Sequence, residues 1–212
     1  MQLVSRDDEI LSTLALKVRL LSLDQVAAAW WEPTDSGRTN ARRRLAQLAS
    51  AGLMTRLHVQ ARPLPPLLAP ALKWRPSDPT PDLGAVAWCL QSRWKSGPCE
   101  TPVYIATRRG ANQYGGRGRG ELRRVFQATH DLGVSAMYLK LYASNRVDAD
   151  AWIGEDILSP HRRGEKLPDA VLADGPESRP RLVLEFGGAY DVARVRSFHE
   201  SCVEDEVPYE LW

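Results

Sequence analysis

"DSGRTNARRRLAQLASAGLMTRLHVQAR", residues 35–62, changes its period half-way along. Ala41, Leu45 and Leu48 recur at the spacing of one helix face. Gly52 stands where such a helix would end, because glycine accepts the left-handed conformation that closes a last turn. Beyond it, "LMTRLHVQAR" alternates apolar and polar residues, as a half-buried strand does. With the apolar stripe turned inward, Thr39, Arg43 and Gln47 fall on the opposite side with Asn40 beside them, and Arg42 and Arg44 lie on the flanks. Polar, fork-shaped groups in the middle and cations at the edges suit the major groove of duplex DNA and its bordering phosphates. Arg56, on the strand, would lengthen that footprint along the backbone. The plainer alternative is a solvated charged face, or a protein contact.

Two helices are predicted upstream. "SRDDEILSTLALKV" has Ser5 as its expected N-cap, acids in its first turn and Ile10, Leu11, Leu14 and Val18 at helical spacing. "LSLDQVAAAWW" restarts behind Ser22 and stops at Pro33. Three helices followed by a strand is the order of a winged helix-turn-helix, with the second wing strand expected at residues 101–111. The predicted first domain is therefore 1–118, interrupted by an insertion at 63–100. That insertion opens with "RPLPPLLAPALKWRPSDPTPD", expected to be irregular. It continues into an amphipathic helix carrying Leu83, Val86, Ala87, Leu90 and Trp94, expected to cover the core of the same domain.

Charge divides the chain. Residues 1–125 carry 19 Lys and Arg against 10 Asp and Glu, and residues 126–212 carry 9 against 16, hidden within a net +2. The basic half suits a polyanion and the acidic half does not. With 43% hydrophobic residues and 25% charged, the 212 residues read as a globular chain of one large or two small domains. No apolar run approaches a membrane span, and "MQLVSRDDEI" lacks the plan of a secretion signal, so no membrane partner and a cytoplasmic location are expected.

The C-terminal part, 119–212, reads as helix, three strands, helix, strand. "DAWIGEDIL", "PDAVLAD" and "RLVLEFGG" are the first three strands, "YDVARVRSFHESCVED" the second helix and "PYELW" the last strand. This order resembles the core of PD-(D/E)-x-K nucleases, a restriction-endonuclease-like α/β fold. Asp169 follows a proline at the head of the second strand, Glu185 sits in the third, and Glu155 is placed on the first. In such a site these acids would coordinate Mg²⁺ and a lysine two residues after the second acid would stabilise developing charge. Here that position is Gly187. Arg194, Arg196, Lys140 and Lys166 are the candidate substitutes. Otherwise the acids have structural partners, and no cofactor is expected.

Other chemistry finds little footing. Cys89, Cys99 and Cys202 are scattered, and His58, His130, His161 and His199 form no zinc spacing. "NQYGGRGRGELRR" lacks the ending of a phosphate-binding loop and reads either as a flexible junction or as a basic arm built on Arg109, Arg117, Arg119, Arg123 and Arg124.

Together the motifs resemble the bacterial replication-relaxation family of plasmids and mobile elements. Arg6, Asp7 and Ile10-Leu11 match its first helix, Leu45, Leu48, Gly52 and Leu53 its helix-turn-helix end, Thr107 and Gly110 its "T-x-x-G", His130 its helix histidine, and Pro168-Asp169-Ala170 with Glu185 its later strands. Gly187 departs from the pattern. The resemblance implies an α+β protein binding double-stranded DNA in plasmid replication or transfer, with a nuclease-like domain that does not cleave. Replication or transfer proteins, and a second copy of the chain, are the expected partners. A Mg²⁺-dependent endonuclease using Asp169 and Glu185 is the runner-up, and a protein-interaction adaptor the third reading.

Overall fold

A computed structural model describes residues 2–116, 118, 120–122, 127–162 and 166–212. The chain opens with α1 (Ser5–Leu16), a two-residue β1 (Leu21–Ser22), α2 (Leu23–Trp30), α3 (Asp35–Ser50) and β2 (Met54–Ala61). Next come β3 (Leu72–Trp74), α4 (Leu83–Ser92), β4 (Cys99–Ala106), α5 (Arg108–Asn112) and α6 (Ala128–Ser144). Then follow α7 (Arg146–Asp150), β5 (Trp152–Gly154), α8 (Glu155–Leu158), β6 (Ala170–Leu172), β7 (Leu182–Glu185), α9 (Val192–Glu204) and β8 (Tyr209–Leu211). The protein is α+β, with two sheets among the described residues. Among the described residues no helix is long and apolar enough to cross a membrane.

The chain divides into two compact units, along a line other than 118/119. Unit 1 is Met1–Pro63 with Gly97–Ser144, and unit 2 is Leu64–Ser96 with Asn145–Trp212. By this division unit 1 carries 16 Lys and Arg against 9 acids, a net +7, and unit 2 carries 12 against 17, a net −5.

In unit 1 the sheet order is β1-β4-β2, with Leu21 opposite Tyr104 and β2 paired to β4 from Met54↔Ala106 to Ala61↔Cys99. Helix α2 starts at a reciprocal cap: Ser22 Oγ accepts from Gln25 N–H while Gln25 Oε1 accepts from Ser22 N–H. Thr34 caps α3 by accepting from Gly37 N–H. A Cβ on Gly37 would lie 2.1 Å from the Glu32 carbonyl oxygen, so the tight α2–α3 turn requires glycine there. Ala41, Leu45 and Leu48 are fully buried, as their spacing predicts, and Gly52 ends the helix at φ +71°. Burying each of those leucines stabilises the fold by about 2 kcal/mol. Helix α1 begins at Ser5 itself, not after it: Asp7 caps it by accepting from Val4 N–H at 2.9 Å.

Helix α6, expected to open the second domain, belongs to unit 1. Its polar and aromatic side meets the first two helices. Ser135 Oγ donates to the Leu20 carbonyl, the Leu132 carbonyl accepts from Gln25 Nε2, and Tyr142 accepts from Trp30 Nε1. The glycine-rich stretch is not a slack junction where it is described. A Cβ on Gly116 would meet Ala15 O at 2.2 Å, and one on Gly118 would meet Ala106 O at 2.8 Å, so both pack closely. Arg117, Arg119, Arg123 and Arg124 lie outside the described residues.

Unit 2 holds a five-stranded sheet of order β3-β8-β7-β6-β5. β5, β6 and β7 form an antiparallel meander, and α9 crosses over so that β8 runs parallel to β7. The 64–96 segment is part of this unit. Leu72–Trp74, inside the proline-rich stretch, is an ordered strand pairing with β8. Three proline-free residues suffice for an edge strand, which needs partners on one side only. Helix α4 packs against α9, where Val86, Ala87 and Leu90 join Trp74, Val195, Phe198 and Leu211 in one apolar cluster. It thus completes unit 2 and not the core of unit 1. On α9 the expected stripe holds for Val195, Phe198, His199 and Cys202, but Val192 is exposed.

His199 is buried, shares a hydrogen bond with Tyr209 at 2.9 Å, and has its pKa lowered by burial. The unfolded chain therefore takes up a proton that the folded one resists, and stability is lost as pH falls below about 6.5. Urea unfolding at pH 7.5 and pH 5 is expected to show a smaller pH-dependent loss in His199→Gln than in the wild type.

Candidate nucleic-acid interface and paired carboxylates

The α3 surface carries Thr39, Asn40, Arg42, Arg43 and Gln47, all exposed, on a helix whose opposite side is locked by its buried stripe. Arg43 reaches back along the helix to Asn40 Oδ1 at 3.0 Å. Tyr104, buried and opposite Arg56 in the sheet register, has its pKa raised by burial, against which the charges of Arg56 and Arg42 pull. Arg56 also lies 3.3 Å from His58 Nε2.

Two arginines of α3 are engaged by acids. Arg38 pairs with Asp24 at 2.6 Å. Arg44 forks onto Asp7, with Nε to Oδ1 at 2.9 Å and Nη2 to Oδ2 at 2.5 Å, and donates further to Gln47 and the Gln2 carbonyl. Asp7 has no exposed surface. Burial pushes its pKa up, but the Arg44 fork, the Val4 N–H and nearby positive charge outweigh this and hold it below the usual value. Arg44, expected as a phosphate contact, is thus a tie between α1 and α3. Its partner is 37 residues away in sequence, too far for helical periodicity to reveal it.

Beside α3 opens a cleft of about 1080 Å³. Its lining includes Asn40, Arg43 and Gln47 from α3, together with Arg6 and Trp31. The last two were not singled out as site residues by the sequence, since their approach to α3 is a tertiary event.

In unit 2, Asp169 and Glu185 do come together. Asp169 Oδ2 accepts from Phe186 N–H at 2.8 Å, and Glu185 Oε2 accepts from Asp169 N–H at 3.0 Å. Each carboxylate therefore ties its neighbour's strand end. Glu185 is buried and also accepts from the Tyr190 hydroxyl at 2.7 Å, whose pKa is raised by burial and then by the charge of Glu185. Burial and the same carboxylate push the Cys202 thiol up to about 12. Glu155 is not on a strand: it opens α8, directly after β5, and its N–H donates to the Asp169 carbonyl. Among the described residues no three His, Cys, Asp or Glu side chains converge on a metal site.

Gly187 answers the missing lysine. A Cβ there would meet Leu90 Cδ1 at 2.9 Å and Leu211 Cδ1 at 3.0 Å, both in the apolar cluster. A lysine would begin its course inside the core. Of the substitutes, Lys166 donates to Ser197, Arg194 lies over the Tyr190 ring at 5.5 Å, and Arg196 is exposed on α9; Lys140 is on α6. Arg194 thus stands beside the ring whose hydroxyl donates to Glu185, and no step through a metal is drawn from the two carboxylates.

In comparisons with protein-family models, curated proteins and solved structures, nothing matches this chain.

The clamp has a measurable consequence. Asp169→Ala and Glu185→Ala are each expected to destabilise the protein by about 1–3 kcal/mol, because each leaves a backbone N–H without its acceptor. Sharing one clamp, the pair should lose less than the sum. Urea unfolding of both single variants and the double variant checks this.

Proposed function

We propose that unit 1 is a winged helix-turn-helix that binds double-stranded DNA, with α3 lying in the major groove. The observation that carries this reading is the α3 surface itself: Thr39, Asn40, Arg42, Arg43 and Gln47 project from a helix fixed by its own buried stripe, in a unit of net +7. The order of elements supports it, since β1 and β2 both flank β4 and the helices α2 and α3 meet at a tight turn. Arg43 with Asn40 and Gln47 would face base edges, where fork-shaped side chains discriminate. Arg42 and Arg56 would hold phosphates at one border of the groove. Arg44 contributes by fixing the helix and not by contact.

The residues that resemble replication-relaxation proteins support a role for this binding in plasmid or mobile-element replication, transfer or its regulation. In that setting unit 2 is a nuclease-shaped scaffold whose acids serve structure, with a role in meeting replication or transfer proteins. Its net −5 sets it apart from the surface offered to DNA.

Fluorescence anisotropy with labelled duplexes tests the reading. Arg42→Ala/Arg43→Ala is expected to lose at least tenfold in affinity while unfolding at the wild-type temperature, given about 1–3 kcal/mol for each well-made bidentate base contact. Arg44→Ala is expected to lower stability by about 3 kcal/mol, because it strands a buried carboxylate. Duplex affinity indifferent to Arg42 and Arg43, or absent altogether, would contradict the proposal. Supercoiled plasmid with Mg²⁺ or Mn²⁺ should stay intact, and cleavage abolished by Asp169→Ala would establish the nuclease instead.

A further inference from the structure

The cations around α3 differ in how they are held. Arg38 and Arg44 are neutralised by Asp24 and Asp7. Arg6 is not: among the described residues no carboxylate pairs with it, and its guanidinium lies 4.4 Å above the Trp31 ring. It is exposed, in the first turn of α1, where the helix dipole disfavours a cation. An indole face holds a guanidinium in place by the attraction of its quadrupole while leaving the N–H fork open at the edge. Sequence gave this residue no job beyond a motif match.

Its position gives it one. Arg6 and Trp31 line the cleft that also receives Asn40, Arg43 and Gln47. Arg44 faces Asp7 of α1, and Arg42, two residues and about 200° round the helix from it, stands on the flank of α3 away from α1; Arg56 is exposed on β2. The reading face is thus bordered by Arg42 on the flank away from α1 and by Arg6 on the α1 side. Once Arg44 and Asp7 cancel, Glu32 is the acid left in the cleft lining, opposed by Arg6 and Arg43. A helix lying in a major groove about 12 Å wide is bordered by two phosphate backbones, one on each side.

We propose that Arg6, positioned by Trp31, grips a backbone phosphate of the DNA strand opposite the one held by Arg42 and Arg56, so that α3 is docked from both sides. This rests on the DNA-binding reading of unit 1 and adds a second anchor to it. The contact is to phosphate, so it operates on any duplex sequence. Trp31 acts through Arg6 as a positioning residue.

The test uses the full chain and a 30-base-pair duplex of mixed sequence, with affinity measured across a salt series. Each phosphate contact contributes about 0.9 to the slope of log affinity against log salt. Arg6→Ala is expected to make that slope shallower by about 0.9, and Arg6→Lys to keep it. Trp31→Leu should weaken binding, with Trp31→Phe, which retains an aromatic face, binding as the wild type does. Thermal unfolding of each variant separates loss of contact from loss of fold. If the wild type binds and Arg6→Ala leaves both slope and affinity unchanged, the second anchor is wrong and the α3 reading stands. If the wild type binds no duplex at all, the DNA reading fails and this inference falls with it.

Discussion

The fork of Arg44 on Asp7 is the constraint on which the proposed DNA surface depends. Asp7 has no exposed surface, so its charge must be met inside the protein, and Arg44 meets it with two nitrogens. The same carboxylate caps α1 through the Val4 N–H. One acid therefore fixes where α1 starts and how α3 lies against it. Removing either partner leaves the other stranded, which in a buried pair costs several kcal/mol. The outward-facing residues of α3 inherit their direction from that tie, and the cleft containing Arg6, Asn40 and Arg43 opens where the first turn of α1 is fastened to α3.

Unit 2 is built on a different economy. Its sheet takes an edge strand and a covering helix from residues 64–96, inserted between the paired strands β2 and β4 of unit 1. Helix α4 then brings Leu90 against Gly187, so a side chain at that position would start in the apolar core. Asp169 and Glu185 lie adjacent, and they accept from the N–H groups of Asp169 and Phe186 and from the Tyr190 hydroxyl.

Local pattern carried much of this. The α3 stripe, its glycine stop, the cap at Ser22 and the three-strand meander with its crossover helix all follow from spacing within a few residues. What escaped was set by distant partners. β1 is two residues long and exists because β4 pairs with it, leaving no alternation to detect. Helices α4 and α6 were readable as helices, but the unit each would join depended on which apolar or aromatic side it matched. The same holds for single residues. Arg42 and Arg44 look alike on a helical projection, yet one has Asp7 beside it. Asp169 and Glu185 were correctly placed as neighbours, whereas the direction of Gly187 into the Leu90–Leu211 core could not be read from a glycine.

The most direct measurement is a two-dimensional NMR titration of the full chain with a mixed-sequence duplex, following backbone amides and arginine Nε–Hε groups. The predicted result is that signals of residues 39–47 and 56 move, Arg42 and Arg43 foremost, while residues 167–190 stay in place. Shifts confined to residues 167–190, or none at stoichiometric duplex, would contradict DNA binding by α3.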